Sequence, residues 1–112
     1  MRTDRDYLTD MLKALRQVEK YAALGRARFE ADELVQTFMI HQIQIMGEAA
    51  RTVSEAVRAK TPEVEWPVII GMRNRLVHGY FEIDVSRVWD TVELDLPKLR
   101  ERIERLVKED LI

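Results

Sequence analysis

The 112-residue sequence contains no cysteine and only four glycines, three prolines and two histidines. The absence of cysteine excludes disulfide bonds, thiolate-ligated zinc, iron–sulfur clusters and a thiol nucleophile. Two histidines are too few for most metal sites unless carboxylates complete the ligand set. No apolar run approaches the roughly 18 residues of a membrane span, and the N-terminus lacks the apolar core of a secretory signal. We therefore expect a cytoplasmic protein without a metal or other cofactor.

Neither sign of charge dominates, because 18 Lys and Arg residues against 20 Asp and Glu residues give a net charge of −2. A protein that coats nucleic acid non-specifically is usually basic throughout, so any contact with nucleic acid must use a local basic site. The sequence also lacks a glycine-rich phosphate loop, an H-E-x-x-H motif and a G-x-S-x-G motif. These absences argue against a metal-dependent enzyme and against a covalent nucleophile.

The long stretches between glycines and prolines show helical periodicity, and none shows the alternation typical of strands. Thr3 followed by Asp6 predicts a capping box at the start of a first helix, for which Gly25 is a stop signal. Residues 26–29 are interpreted as a connector. The sequence predicts an all-α bundle of four to five helices that forms a single domain over residues 1–112.

A second helix is predicted from about residue 32 to residue 60, with its main apolar stripe at Val35, Met39, Met46, Ala50, Val53 and Val57. Ile40, Ile43 and Gly47 lie on a flank away from this stripe, which predicts a second buried face. Either another helix of the same chain covers this flank, or the flank is a surface for self-association. Periodicity leaves both alternatives open.

The remaining helices follow from prolines and capping residues. Pro67 suits the first turn of a helix that ends near Val77, and Asp84 can cap a helix containing Trp89. The sequence Asp95-Leu96-Pro97 is expected to interrupt or kink the chain before a last amphipathic helix. The two tryptophans, at the starts of helices, are interpreted as core anchors rather than platforms for base stacking.

One segment, residues 71–81, concentrates polar groups of catalytic character around the string R-N-R-L-V-H-G-Y. Asn74 and His78 are four residues apart and share a helix face, so the amide could orient the imidazole. Arg73 lies about 140° from His78 around an ideal helix. The two therefore converge only if the helix loosens at His78 or a second subunit contributes. Taken alone, this Arg and His more often cap carbonyls at a helix end.

The extended string resembles the HEPN superfamily, whose ribonuclease members carry an Arg, a polar residue, three further residues and a His. The version Arg-x-x-x-x-His-x-Tyr is similar to HepT-type toxins of the HepT/MntA toxin–antitoxin systems. The flanks agree: I-M-G-E-A-A at residues 45–50, W-P-V-I-I-G-M before the motif and V-W-D-T-V-E-L-D-L-P after it. The resemblance extends over essentially the whole chain.

The resemblance implies a homodimeric, metal-independent endoribonuclease with Arg73 and His78 of both subunits lining a cleft. It also implies a toxin that a nucleotidyltransferase antitoxin neutralises by transferring AMP to Tyr80. The residue types suit this chemistry, since histidine does acid–base work and arginine holds a phosphate. Asn74 and Arg75 are assigned supporting roles, Asn74 in positioning His78 and Arg75 in contacting phosphate or the antitoxin.

Two other classes of function stay open: a HEPN module that binds a nucleotide or a protein without cleaving RNA, and a purely structural helical dimer. Glu48 faces the same side as His41, and Arg51 follows one turn later. This group is interpreted as a structural ion-pair cluster rather than a catalytic one. A neighbouring gene for a small nucleotidyltransferase would favour the toxin.

Overall fold

The computed structural model describes residues 1–79 and 82–109, which form α-helices and one π-helical turn and contain no strand. Four helices are long: α1 (Asp4–Ala22), α3 (Glu33–Thr52), α5 (Trp66–His78) and α7 (Leu96–Lys108). Three six-residue helices connect them: α2 (Arg26–Ala31), α4 (Glu55–Lys60) and α6 (Val85–Asp90). The predicted all-α bundle is confirmed. Within the described ranges, no helix is long and apolar enough to cross a membrane.

Helix α3 is central to the packing. It packs against α1 on one side and against α5 on the other, while α7 covers α1. Side chains fully removed from solvent at these contacts are Leu8, Met11, Met39, Ile43, Met46 and Ile103. Helix α3 therefore lies between two other long helices, and its two flanks fix the positions of α1 and α5.

The predicted capping box at the start of α1 is confirmed. Thr3 Oγ1 accepts from the Asp6 N–H at 3.2 Å, and the Asp6 carboxylate accepts from the Thr3 N–H at 2.8 Å. The prediction of a connector over residues 26–29 is wrong, because α2 occupies these residues. Gly25 starts α2 with a positive φ of 92°, a conformation that favours glycine. Burial of Phe29 and an ion pair between Arg26 and Glu30 at 3.0 Å stabilise this short helix.

The prediction of one continuous helix from residue 32 to residue 60 is also wrong. The chain leaves the helix at Val53 and starts α4 with Ser54 as its N-cap. Asp4 of α1 stabilises this break, since its carboxylate accepts from both the N–H and the hydroxyl of Ser54 at 2.8 Å. Val53 and Val57 are both buried, so the apolar periodicity continues through the break. The pattern alone therefore does not predict the break.

The second flank of α3 is covered within the chain. Ile40, Ile43 and Gly47 are buried, α5 packs on α3, and Arg73 of α5 lies against Gly47. The Gln44 side-chain amide donates to the Leu76 carbonyl of α5 at 3.1 Å. Of the two alternatives for this flank, the structure therefore shows the intramolecular one, and the flank no longer argues for self-association.

Between α6 and α7 the backbone stays helical instead of breaking. Asp84 caps α6 as predicted, accepting from the N–H groups of Ser86 and Arg87. A π-helical turn (Thr91–Asp95) then joins α6 to α7. Pro97 has no N–H to donate to the carbonyl four residues earlier, and a widened turn accommodates such a gap. The interruption expected at Asp95-Leu96-Pro97 is therefore a π-helical turn.

Candidate functional site

Helix α5 carries the Arg–His motif and stays regular to its end. It is α-helical through His78, and the Gly79 N–H closes it by donating to the Arg75 carbonyl at 2.8 Å. The helix therefore does not loosen at His78. Since positions five residues apart on a helix differ by about 140° around its axis, Arg73 and His78 leave α5 in different directions. Of the two routes to convergence, the one within a single chain is therefore removed.

Arg73 lies between α5 and α3, on top of Gly47. A Cβ added at Gly47 would lie 2.3 Å from the Arg73 Cβ, so only glycine permits this approach. The Arg73 side chain is 18% exposed, which leaves part of it open to solvent. Its Nη1 donates to the Asn74 Oδ1 at 2.9 Å, and its Nη2 lies 2.8 Å from the Glu48 Oε2. Acceptors on two sides thus hold the guanidinium.

Glu48 connects Arg73 to a second arginine on α3. Arg51 Nη2 donates to Glu48 Oε1 at 2.8 Å. The Arg51 hydrogen bond, and then the charges of Arg51 and Arg73, hold the pKa of Glu48 below its usual range. The contact between Glu48 Oε2 and Arg73 is an ion pair without hydrogen-bond alignment. Within the described part of the chain, Glu48 Oε2 and Arg73 Nε are buried atoms without a hydrogen-bond partner.

His78 lies on the opposite, solvent-exposed side of α5. Together with Asn74 and Arg75 it lines an open groove of about 1000 Å³ between the end of α5 and α6. Arg87 of α6 adds a second arginine to this groove, and four carboxylates also line it: Glu82, Asp84, Asp90 and Asp95. Asn74 is exposed, and its side-chain oxygen accepts from Arg73; among the described residues, no hydrogen bond joins Asn74 to His78. The groove thus places His78 and Arg75 within reach of a large ligand.

The other predicted site residues are placed as follows. Tyr80 lies outside the described residues. His41 is exposed on α3 and, within the described residues, forms no ion pair. The ion-pair interpretation of Glu48 and Arg51 is confirmed, but its contact with Arg73 was not predicted. The only signal for it in the sequence was the neighbouring Gly47, since close approach of α5 at this glycine places Arg73 beside Glu48.

Both tryptophans are core anchors, as predicted. Trp66 and Trp89 are each 4% exposed. The Trp66 indole N–H donates to the buried Thr61 hydroxyl at 3.0 Å, and the Trp89 indole N–H donates to Glu93 at 3.2 Å. Among the described residues, no cluster of three or more His, Asp or Glu side chains is arranged to hold a metal ion.

Comparison with known proteins relates this sequence to ribonucleases. The family model described as "Ribonuclease HepT-like" matches residues 11–106. The "Probable ribonuclease HepT" of Thermococcus cleftensis is 32% identical over 108 residues, covering 96% of this chain and 98% of that protein. A "Putative RNase" of Methanocaldococcus jannaschii is 31% identical over 99 residues, covering 88% of this chain and 91% of that protein.

A "Putative RNase" of Caldanaerobacter subterraneus subsp. tengcongensis is 26% identical over 111 residues, with 98% of this chain and 99% of that protein covered. No solved structure gives a significant match. The family model extends over nearly all of the helical bundle, from within α1 to the last turn of α7, and includes the whole of α5. The chain therefore belongs to the HepT-like ribonuclease family.

Proposed function

We propose that this protein is a metal-independent endoribonuclease that acts as the toxin of a toxin–antitoxin pair. Its active site is formed by Arg73 of one subunit and His78 of the other. The observation that carries the two-subunit site is the regularity of α5, which keeps the two side chains on different sides of one helix. Membership of the HepT-like family supports the reaction and its RNA substrate.

The chemistry follows from the two residue types. His78 takes the proton of a ribose 2′-hydroxyl, the oxygen attacks the neighbouring phosphorus, and the bond from phosphorus to the 5′-oxygen breaks. A proton returned by histidine completes the leaving hydroxyl. Arg73 binds the non-bridging oxygens as negative charge builds on the phosphorane. General acid–base catalysis contributes typically ~10²–10⁴-fold in rate, and one donor to a developing oxyanion contributes about 10²–10³-fold.

Single substitutions test the assignment. We expect His78→Ala and Arg73→Ala each to lose RNA cleavage by at least about 10²-fold while the helical circular dichroism signal is retained. His41→Ala is the matched control, since His41 is also exposed and lies on another helix. Cleavage should persist in excess EDTA. Full activity of His78→Ala, or EDTA inhibition that divalent ions reverse, would contradict the mechanism.

Regulation is proposed to act at Tyr80, two residues after His78. A nucleotidyltransferase antitoxin would transfer AMP from ATP to the tyrosine hydroxyl, with release of pyrophosphate. The added phosphodiester brings negative charge close to the motif and competes with RNA for its cations.

Co-expression with a nucleotidyltransferase antitoxin tests the regulation. Mass spectrometry should detect additions of about 329 Da per AMP unit on Tyr80. Tyr80→Phe should fold, escape modification and stay toxic in the presence of the antitoxin. If the antitoxin neutralises Tyr80→Phe as well as the wild type, inhibition occurs by binding alone.

A further inference from the structure

We propose that Glu48 is a positioning residue for Arg73, fixing the guanidinium in the orientation that receives the scissile phosphate. The proposal rests on the ribonuclease function above and deepens it, because it assigns a role to a residue outside the Arg–His motif. Glu48 belongs to α3 and Arg73 to α5, so the pair also joins two separate elements of the bundle.

The first support is the number of contacts on the Arg73 side chain. Gly47 lies under its Cβ and Cγ, Glu48 lies 2.8 Å from Nη2, and Asn74 accepts from Nη1 at 2.9 Å. An arginine without such contacts samples many rotamers and loses that freedom when it binds a phosphate. Here the orientation is fixed before the ligand arrives.

The second support is that the contacts leave donors available. Each of the two terminal nitrogens of arginine carries two N–H groups. Glu48 and Asn74 each engage one of these nitrogens, so N–H groups stay available on both. The 18% exposure of the Arg73 side chain shows that part of it reaches solvent, where a phosphate can approach. Glu48 therefore holds Arg73 without using up its capacity to bind an anion.

The third support is that Glu48 is itself held in place. Arg51 donates to its other carboxylate oxygen at 2.8 Å. This hydrogen bond and the charges of both arginines favour the ionised carboxylate. Arg51, Glu48 and Arg73 thus form a row in which a fixed negative charge separates two cations. Removing that charge frees Arg73 and leaves two like charges, Arg73 and Arg51, without the negative charge between them. The orientation of Arg73 therefore changes.

The test is a double-mutant cycle measured on RNA cleavage under single-turnover conditions. Glu48→Gln keeps the size of the side chain and removes its charge. We expect kcat/KM to fall about 10- to 100-fold in the wild-type background, as misplacement of a catalytic group costs up to that factor. In the Arg73→Ala background the same change should have no further effect, because a residue that acts through Arg73 has nothing left to position.

Glu19→Gln is the matched control, since it breaks another partly exposed ion pair, between Glu19 of α1 and Arg100 of α7 at 2.7 Å. It should leave cleavage unchanged. Equal losses from Glu48→Gln in both backgrounds would overturn the proposal, as would unchanged or faster cleavage by Glu48→Gln.

A readout that does not depend on activity separates the two proposals. In nuclear magnetic resonance spectra, rotation of the Arg73 guanidinium should be slow in the wild type and fast in Glu48→Gln. If the wild type cleaves no RNA but this difference is found, the proposed function fails and the positioning contact stands. If the rotation rate is the same in both proteins, the positioning role fails whatever the activity.

Discussion

At the scale of single residues, Gly47 determines how Arg73 is presented. A side chain at this position would collide with Arg73 at its Cβ, an atom close to the backbone that cannot swing away. Gly71 offers a contrast on α5, because a Cβ there would have the end of the Arg75 side chain as its nearest neighbour, 4.0 Å away. At Gly47 an added side chain has no space, whereas at Gly71 it has space and only the conformational freedom of glycine is lost.

This contrast predicts opposite effects on stability. Gly47→Ala should lower the free energy of unfolding, because overpacking costs about 1–3 kcal/mol and the helix preference of alanine offsets at most ~1 kcal/mol of that. Gly71→Ala should raise the free energy of unfolding by up to ~1 kcal/mol, since alanine is the better helix former.

Urea unfolding followed by circular dichroism measures both glycine variants. Gly47→Ala should also cleave RNA more slowly, because the clash displaces Arg73. A Gly47→Ala protein as stable and as active as the wild type would contradict the close packing of α5 on α3.

At the scale of elements, capping side chains mark the starts of four helices, α1, α3, α4 and α6. Asp32 serves α2 and α3 together: its carboxylate accepts from the Arg28 side chain at 2.8 Å and from the Leu34 and Val35 N–H groups at 3.0 and 3.2 Å. The Arg28 hydrogen bond, followed by the Val35 N–H, holds the pKa of Asp32 below its usual value. A corner between two helices therefore depends on one ionised carboxylate.

The pH dependence of stability follows from this lowered pKa. A carboxyl group with a depressed pKa in the folded state stabilises the fold above its unfolded pKa of about 3.9, and this contribution is lost as pH falls through the folded value. Asp32→Asn keeps an oxygen for capping but has no charge. Its melting temperature should be lower than that of the wild type at pH 7, and it should fall less between about pH 5 and pH 2.

Thermal unfolding of both proteins across this range measures the difference. Asp32→Ala, which removes the capping oxygen as well, should be the least stable of the three at neutral pH. Parallel pH profiles for the wild type and Asp32→Asn would show that the Asp32 carboxylate does not contribute to acid stability.

At the scale of the whole molecule, the sequence predicts the class of fold well but not the break between α3 and α4. Apolar periodicity marks the long helices, because each buries one stripe against its neighbours. The same periodicity continues from Val53 to Val57 across the start of α4, so it does not mark the break. That break depends on Asp4, which is distant in sequence from Ser54 and hydrogen-bonds to it only in the fold.

The candidate site likewise has a part that the sequence predicts and a part that it does not. The local motif predicts Arg73 and His78 as site residues, and helical geometry indicates that they diverge on α5, which is regular through His78. The pairing of Glu48 with Arg73 was not identified, since it requires the register between α3 and α5. This register follows from the packing at Gly47 and from the contact between Gln44 and the Leu76 carbonyl. Contacts between elements, unlike motifs within one, depend on tertiary packing.

The central claim, that Arg73 of one subunit works with His78 of another, is tested most directly by mixing two inactive variants. Arg73→Ala and His78→Ala are unfolded together and refolded at equal concentration, and light scattering then checks for species of twice 13.2 kDa. In a two-fold dimer, each mixed pair contains one site with both native side chains, so RNA cleavage should recover to about a quarter of the wild-type rate. No recovery in a mixture that contains mixed dimers, or cleavage by a wild-type species of 13.2 kDa, would contradict the two-subunit site.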